Sequence, residues 1–218
     1  MKLLMQIWAG LWLGLALLSS QTQAAQPTYG PAWDEAYAFY LDATDGDRRA
    51  TRESLERFTA LQQQYPDDPI ALTLMASSQT LRGRDVWLPW NKLSHTEDGL
   101  DNLMHAQRLL NASHDTELFL NTPVSLFVPM IAGINFVEVP AMFGRFEQGY
   151  ELLLKASAHP GLAEAPEEVQ AQVHFYTARS ARAVDEHDRA EQALAHLFAV
   201  SLDHELSDQA RAQLVQGD

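Results

Sequence analysis

An apolar spacing of i, i+3, i+4, i+7 returns four times along the chain, and its period limits the fold more than any other feature. It runs through Leu55, Phe58 and the position of Gln62, then through Leu100, Leu103 and Met104. It returns through Phe146, Gly149, Tyr150, Leu153 and Leu154, and through Ala190, Ala193, Leu194, Leu197 and Phe198. The starts lie 45, 46 and 44 positions apart. Such spacing marks a helix with one apolar stripe. A helix of that kind must cover its stripe with another element, so a recurring unit predicts hairpins that stack on one another. Each segment has a helical candidate ahead of it, at residues 33–41, 69–81, within 125–143, and 166–184. The expectation is therefore four helix-turn-helix units in one all-α domain. No strand-like alternation and no Asn-Gly hairpin turn competes.

Start and stop signals fit this division. Ser94 with Glu97 reads as a capping box ahead of the second helix of unit two, and Asp188 with Glu191 as its acidic equivalent in unit four. Pro166, Glu167 and Glu168 suit a first turn, where a missing N–H costs nothing and carboxylates meet the positive end of the helix dipole. Asp45-Gly46-Asp47 forms a turn within unit one, and Tyr65-Pro66-Asp67-Asp68-Pro69 separates units one and two. Ser207 is expected to cap a short last helix over residues 208–215, covering the open end of the stack.

The N-terminus reads as an export signal. Lys2 precedes an uncharged apolar run at residues 3–18, followed by a small, polar stretch at 19–25 with Thr22-Gln23-Ala24 before the expected cut. Residues 1–24 are assigned as a signal peptide and 25–218 as the mature domain, with a periplasmic destination. The competing reading is a retained anchor, since the run approaches the roughly 20 residues of a spanning helix. Cysteine is absent from the sequence, which excludes disulfides, thiolate nucleophiles, cysteine-ligated metals and a lipid-modified cysteine. A formal net charge of -14 repels phosphate backbones and argues against general nucleic-acid binding.

In the tetratricopeptide-repeat (TPR) pattern, small and aromatic residues alternate on the second helix and a proline follows it. Ser54, Phe58, Leu61 and Pro66 match that spacing, as do Gly99, Leu103 and Ala106, with a looser match at Tyr176, Ala190, Leu194 and Leu197. The chain thus resembles the TPR superfamily, although its period is longer than that family's roughly 34 residues and close to that of HEAT-like pairs. The stretch at residues 80–93, the following Gly99-Leu100-Asp101, and Pro140-Ala141-Met142-Phe143-Gly144-Arg145 resemble a group of exported bacterial TPR-like proteins, over about residues 50–200. The resemblance implies a TPR-like α-α superhelix of four hairpins with a C-terminal capping helix. It carries no activity with it.

The strongest local departure lies at residues 82–92. Helical hairpins turn in a few residues, yet about a dozen separate the two helices predicted here. They carry Arg82, Arg84, Trp87, Trp90 and Lys92. Guanidinium groups beside tryptophan are the chemistry of binding hot spots, which predicts a recognition loop. The opposing reading has both tryptophans filling the core between units one and two. The most apolar mature stretch, residues 118–143, is no membrane span, because Pro123, Pro129, Pro140 and Glu138 interrupt it. It reads instead as a central buried helix kinked near Pro140. Glu138 within it needs a partner, and Arg145, two helical turns on, is the expected one in a buried ion pair.

The eight histidines read as surface residues, with no His-Glu-x-x-His zinc arrangement. No nucleophile elbow, phosphate-binding loop or dinucleotide fingerprint is present. No catalytic residue, metal or cofactor is therefore expected. The function expected from these features is a periplasmic scaffold that binds a protein or peptide through Arg82, Arg84, Trp87, Trp90 and Lys92, with Glu138 and Arg145 bordering the groove. The alternatives are a small-molecule binder or enzyme with a pocket around Glu138 between units two and three, and an accessory subunit of an envelope transporter.

Overall fold

The structure is a computed structural model that describes residues 29–200 and 202–216; the expected signal peptide lies outside the described residues. Four antiparallel helix pairs follow one another: α1 (Pro31–Thr44) with α2 (Arg48–Gln64), α3 (Pro69–Asp85) with α4 (Pro89–Leu109), α5 (Val124–Glu138) with α6 (Phe146–Ser157), and α7 (Glu167–Ala183) with α8 (His187–Val200). A last helix, α9 (Glu205–Gln216), packs on α7 and α8 and covers the end of the stack. The chain is an all-α superhelix of hairpins. Among the described residues no helix is long and apolar enough to cross a membrane.

The recurring apolar pattern occupies the second helix of every pair, where Phe58, Leu61, Leu100, Leu103, Leu153, Ala193 and Leu197 are buried. The first helices α1, α3, α5 and α7 touch one another in series, so the middle two are enclosed from several sides. Every residue of α3 from Pro69 to Ser78 and of α5 from Val124 to Gly133 is buried. That enclosure explains why neither helix has the single apolar stripe of its partner: no face is left for solvent.

Small residues permit the close crossings. A β-carbon on Gly99 would lie 2.7 Å from the carbonyl oxygen of Ala76, and one on Gly149 would lie 2.7 Å from Phe136 Cβ. Ser54, at the matching position of α2, shares a 2.7 Å hydrogen bond with Ser78 of α3. A polar seam crosses the first helices, with Tyr40 Oη 3.0 Å from Ser77 Oγ and Asn135 Nδ2 donating to that same oxygen at 2.9 Å.

Several expected boundaries move. α3 continues through Gly83 to Asp85 and α4 begins at Pro89, so residues 86–88 alone connect them in place of the overlong loop. Gly83 admits a close approach of the two helices: a β-carbon there would press on the Thr96 side chain and lie 3.0 Å from the carbonyl oxygen of Lys92. Ser94 consequently sits inside α4, where its hydroxyl meets Asp98, and caps nothing. α8 starts at His187, one residue ahead of the expected Asp188 cap. α9 starts ahead of Ser207 and is opened by His204, whose Nδ1 accepts from the Leu206 N–H at 3.1 Å.

A small hairpin, β1 (Leu118–Phe119) and β2 (Thr122–Pro123), turns through Leu120 and Asn121 at φ 48° and 59°. Both turn residues are left-handed, as a two-residue hairpin turn requires, but leucine gives no sequence sign of it. α5 does not kink at Pro140. It ends at Glu138, because the residue before a proline is driven out of the helical region, and Val139 has ψ 151°.

Candidate functional site

The turn between α3 and α4 is exposed to solvent. Trp87 is 89% exposed and Trp90 64%, with Leu88 and Leu93 also exposed. The reading that placed both tryptophans in the core is overturned. Three connecting residues and a proline-started helix leave the Trp87 and Trp90 side chains beyond the last packed layer of α3 and α4.

The cations of this tip divide by role. The Arg84 guanidinium donates to the carbonyl oxygen of Ala43 at 2.9 Å through Nη2, and its Nε pairs with Asp85 at 2.9 Å. It therefore ties the tip to the end of α1, sharing the Ala43 carbonyl with the Gly46 N–H. Lys92 Nζ approaches the Arg84 carbonyl at 3.5 Å, a favourable placement at the negative end of α3. Arg82 lies half-buried in the last turn of α3. Burial opposes ionisation of Asp85, but hydrogen bonds from Arg84 and Thr51 and the charges of Arg84 and Arg48 outweigh it and hold the carboxyl below its ordinary range. Arg48, Arg49 and Arg52, all exposed, start the neighbouring helix α2. The tip thus presents two tryptophans beside a cationic fringe.

Glu138 and Arg145 do not pair. Glu138 meets Arg179 of α7, and Arg145 Nη2 meets Asp101 of α4 at 2.7 Å. The helical spacing that suggested their pairing does not survive the break after Glu138, where a short turn over Ala141–Phe143 and left-handed Gly144 (φ 61°) redirect the chain. Glu138 is exposed, so it is not the buried acid the sequence suggested. Its pair joins α5 to α7, and Arg179 also lies 4.8 Å from the centre of the Tyr176 ring.

Two further groups of polar residues were not visible in the sequence. Tyr29 Oη lies 3.1 Å from Asp68 and 3.0 Å from Glu117, so its single proton is shared between the two carboxylates. Burial is the main cause that raises the Asp68 pKa to about 6, against the opposing hydrogen bond from the Ala71 N–H at the start of α3. These residues are 39 and 88 positions from Tyr29, beyond the reach of any local pattern. The second group is His174 of α7, stacked on His196 of α8 with ring centroids 5.2 Å apart. His174 is buried, as is His114, contrary to the reading of all histidines as surface residues. Burial, then the charge of His196, lowers the His174 pKa to about 4.

A cavity of about 820 Å³ opens between α6, α7 and α8, between units three and four, and Glu138 does not line it. Among the described residues no group of three or more His, Asp or Glu is arranged to hold a metal ion. Comparison with protein-family models, characterised proteins and solved structures finds no match to this chain.

Proposed function

We propose that the protein is an exported, TPR-like scaffold that docks a protein partner through the α3–α4 tip, without catalysis. The observation that carries this reading is the exposure of Trp87, on a connection of three residues, together with Trp90 in the first turn of α4. Tryptophan is stiff and offers a large contact area, so holding it on a short turn reduces the entropy lost on binding. Exposing two such side chains together has no folding benefit, and contiguous exposed apolar surface marks interaction sites.

The partner's chemistry follows from the local charge. Residues 82–92 carry Arg82, Arg84 and Lys92 against Asp85, a net positive segment on a chain of net charge -14. An acidic rim around an apolar recess complements it. A bilayer of anionic lipid is disfavoured, because the rest of the molecule is repelled by that surface. The TPR-like lineage and the periplasmic address rest on the sequence patterns described above.

The test compares the intact protein with the double variant Trp87→Ala, Trp90→Ala in cross-linked envelope fractions. A defined partner held by the intact protein and lost by the double variant, with melting temperature unchanged, is the expected result. Equal recovery by both, or flotation of the intact protein with phosphatidylglycerol vesicles in place of a protein partner, would overturn the proposal.

A further inference from the structure

α6 packs on α5 and α7, while α8 packs on α7 and α9, which leaves the space between α6 and α8 open above α7. Near the start of α6 the gap is closed by Tyr150, Ala181 and Ala190, with Tyr150 Oη donating to Glu186 at 2.8 Å. The remaining cavity of about 820 Å³ falls in the range of small-molecule sites.

Three features of its wall point to one ligand chemistry. The chain has 29 acidic residues, yet no Asp or Glu lines the cavity. The wall instead includes three histidines and an arginine, Arg189, whose Nε is held by Glu186 at 3.0 Å. His174 and Thr177, 8% and 2% exposed, both line the cavity, and His174 Nδ1 and Thr177 Oγ1 have no hydrogen-bond partner in the protein. They are one helical turn apart on α7, so they face the same side. Buried polar atoms are nearly always satisfied, so two orphans beside one cavity call for a partner from outside the chain, water or ligand. Leu154, Leu162, Ala193 and Val200 make up apolar parts of the same wall.

We propose that this cavity binds a small organic acid, with its carboxylate accepting hydrogen bonds from Thr177 and His174 and its apolar body against Leu154, Leu162, Ala193 and Val200. The anion is favoured by the absence of carboxylates from the wall and by Arg189. The hydroxyl of Thr177 and the Nδ1–H tautomer of His174 supply the two donors. His159 is committed elsewhere: its Nδ1 accepts from the Gly161 N–H at 3.0 Å, which leaves Nε2–H to donate to Ser125 at 3.0 Å. The site is separate from the α3–α4 tip and does not depend on the function proposed for it.

The experiment titrates the intact protein with benzoate and octanoate, and with the uncharged benzyl alcohol and octanol, following the ring resonances of His174 and His196 by NMR. Saturable shifts with the acids, and none with the alcohols, are expected. Thr177→Val, which keeps the shape and removes one donor to a charged acceptor, is expected to raise Kd about tenfold. The double variant Trp87→Ala, Trp90→Ala is expected to bind both acids as the intact protein does. Absence of shifts up to about 10 mM acid, equal binding of the alcohols, or an unchanged Kd in Thr177→Val would overturn the assignment.

Discussion

Replacing Asp68 by asparagine is expected to stabilise the protein at neutral pH and to leave its stability unchanged in acid. Asp68 is 6% exposed and starts α3, accepting the Ala71 N–H at 2.7 Å while Tyr29 donates to its second oxygen. Burial is the largest influence on its carboxyl and raises the pKa from 3.8 to about 6. The folded protein therefore takes up the proton before the unfolded chain does. Between those two values stability falls as pH rises, and above about pH 6 the full cost of the buried charge is present. A shift of about two units corresponds to an upper bound of about 3 kcal/mol.

Asparagine keeps the local geometry. Its Oδ1 can accept the Ala71 N–H, its amide can donate to the Tyr29 oxygen, and Tyr29 can still donate to Glu117. At pH 7.5 the variant should melt up to about 6–12 °C higher, on a scale of about 2–4 °C per kcal/mol for a chain of this size. At pH 4 the two melting temperatures should converge, since Asp68 is then neutral in the folded state. His174 works in the opposite sense: its lowered pKa makes stability fall as pH drops from about 6.5 towards 4. It does so in both proteins, so the difference between them isolates Asp68. Melts followed by circular dichroism from pH 4 to 8 provide the measurement. A pH-independent difference, or a less stable variant at pH 7.5, would refute the reasoning.

Gly149→Ala should destabilise the α5–α6 crossing despite the gain of about 1 kcal/mol in helix propensity. The new methyl would lie 2.7 Å from Phe136 Cβ and 2.9 Å from the Gly133 carbonyl oxygen, neither of which can swing aside. With overpacking costing about 1–3 kcal/mol, a net loss of up to about 2 kcal/mol is expected in a denaturant titration. Glu138→Gln should cost less than about 1 kcal/mol, because the Glu138–Arg179 pair is solvent-accessible on both sides. A loss of several kcal/mol in the same titration would restore the buried-acid reading.

The sequence by itself determined the helices and their pairing, because an apolar stripe of period 3.6 is a local property written in consecutive residues. Leu100, Leu103, Leu153 and Leu197 were assigned to helix faces before any packing was known, and each is buried. Ser54, Gly99 and Gly149 were recognisable as small positions, but only the crossings showed which backbone or side-chain atoms they admit. Helix ends were less legible. The expected loop at residues 82–92 shrank to three connecting residues, because Gly83 lets α3 continue in close contact with α4.

Tertiary structure alone decided which distant groups meet. Glu138 found Arg179, 41 positions away, rather than Arg145, because the chain changes direction after α5 and sequence spacing beyond that point no longer measures distance. It likewise decided that Trp87 and Trp90 face solvent while His174 does not. Exposure depends on what lies opposite a side chain, and that is set by the stacking of hairpins far apart in sequence.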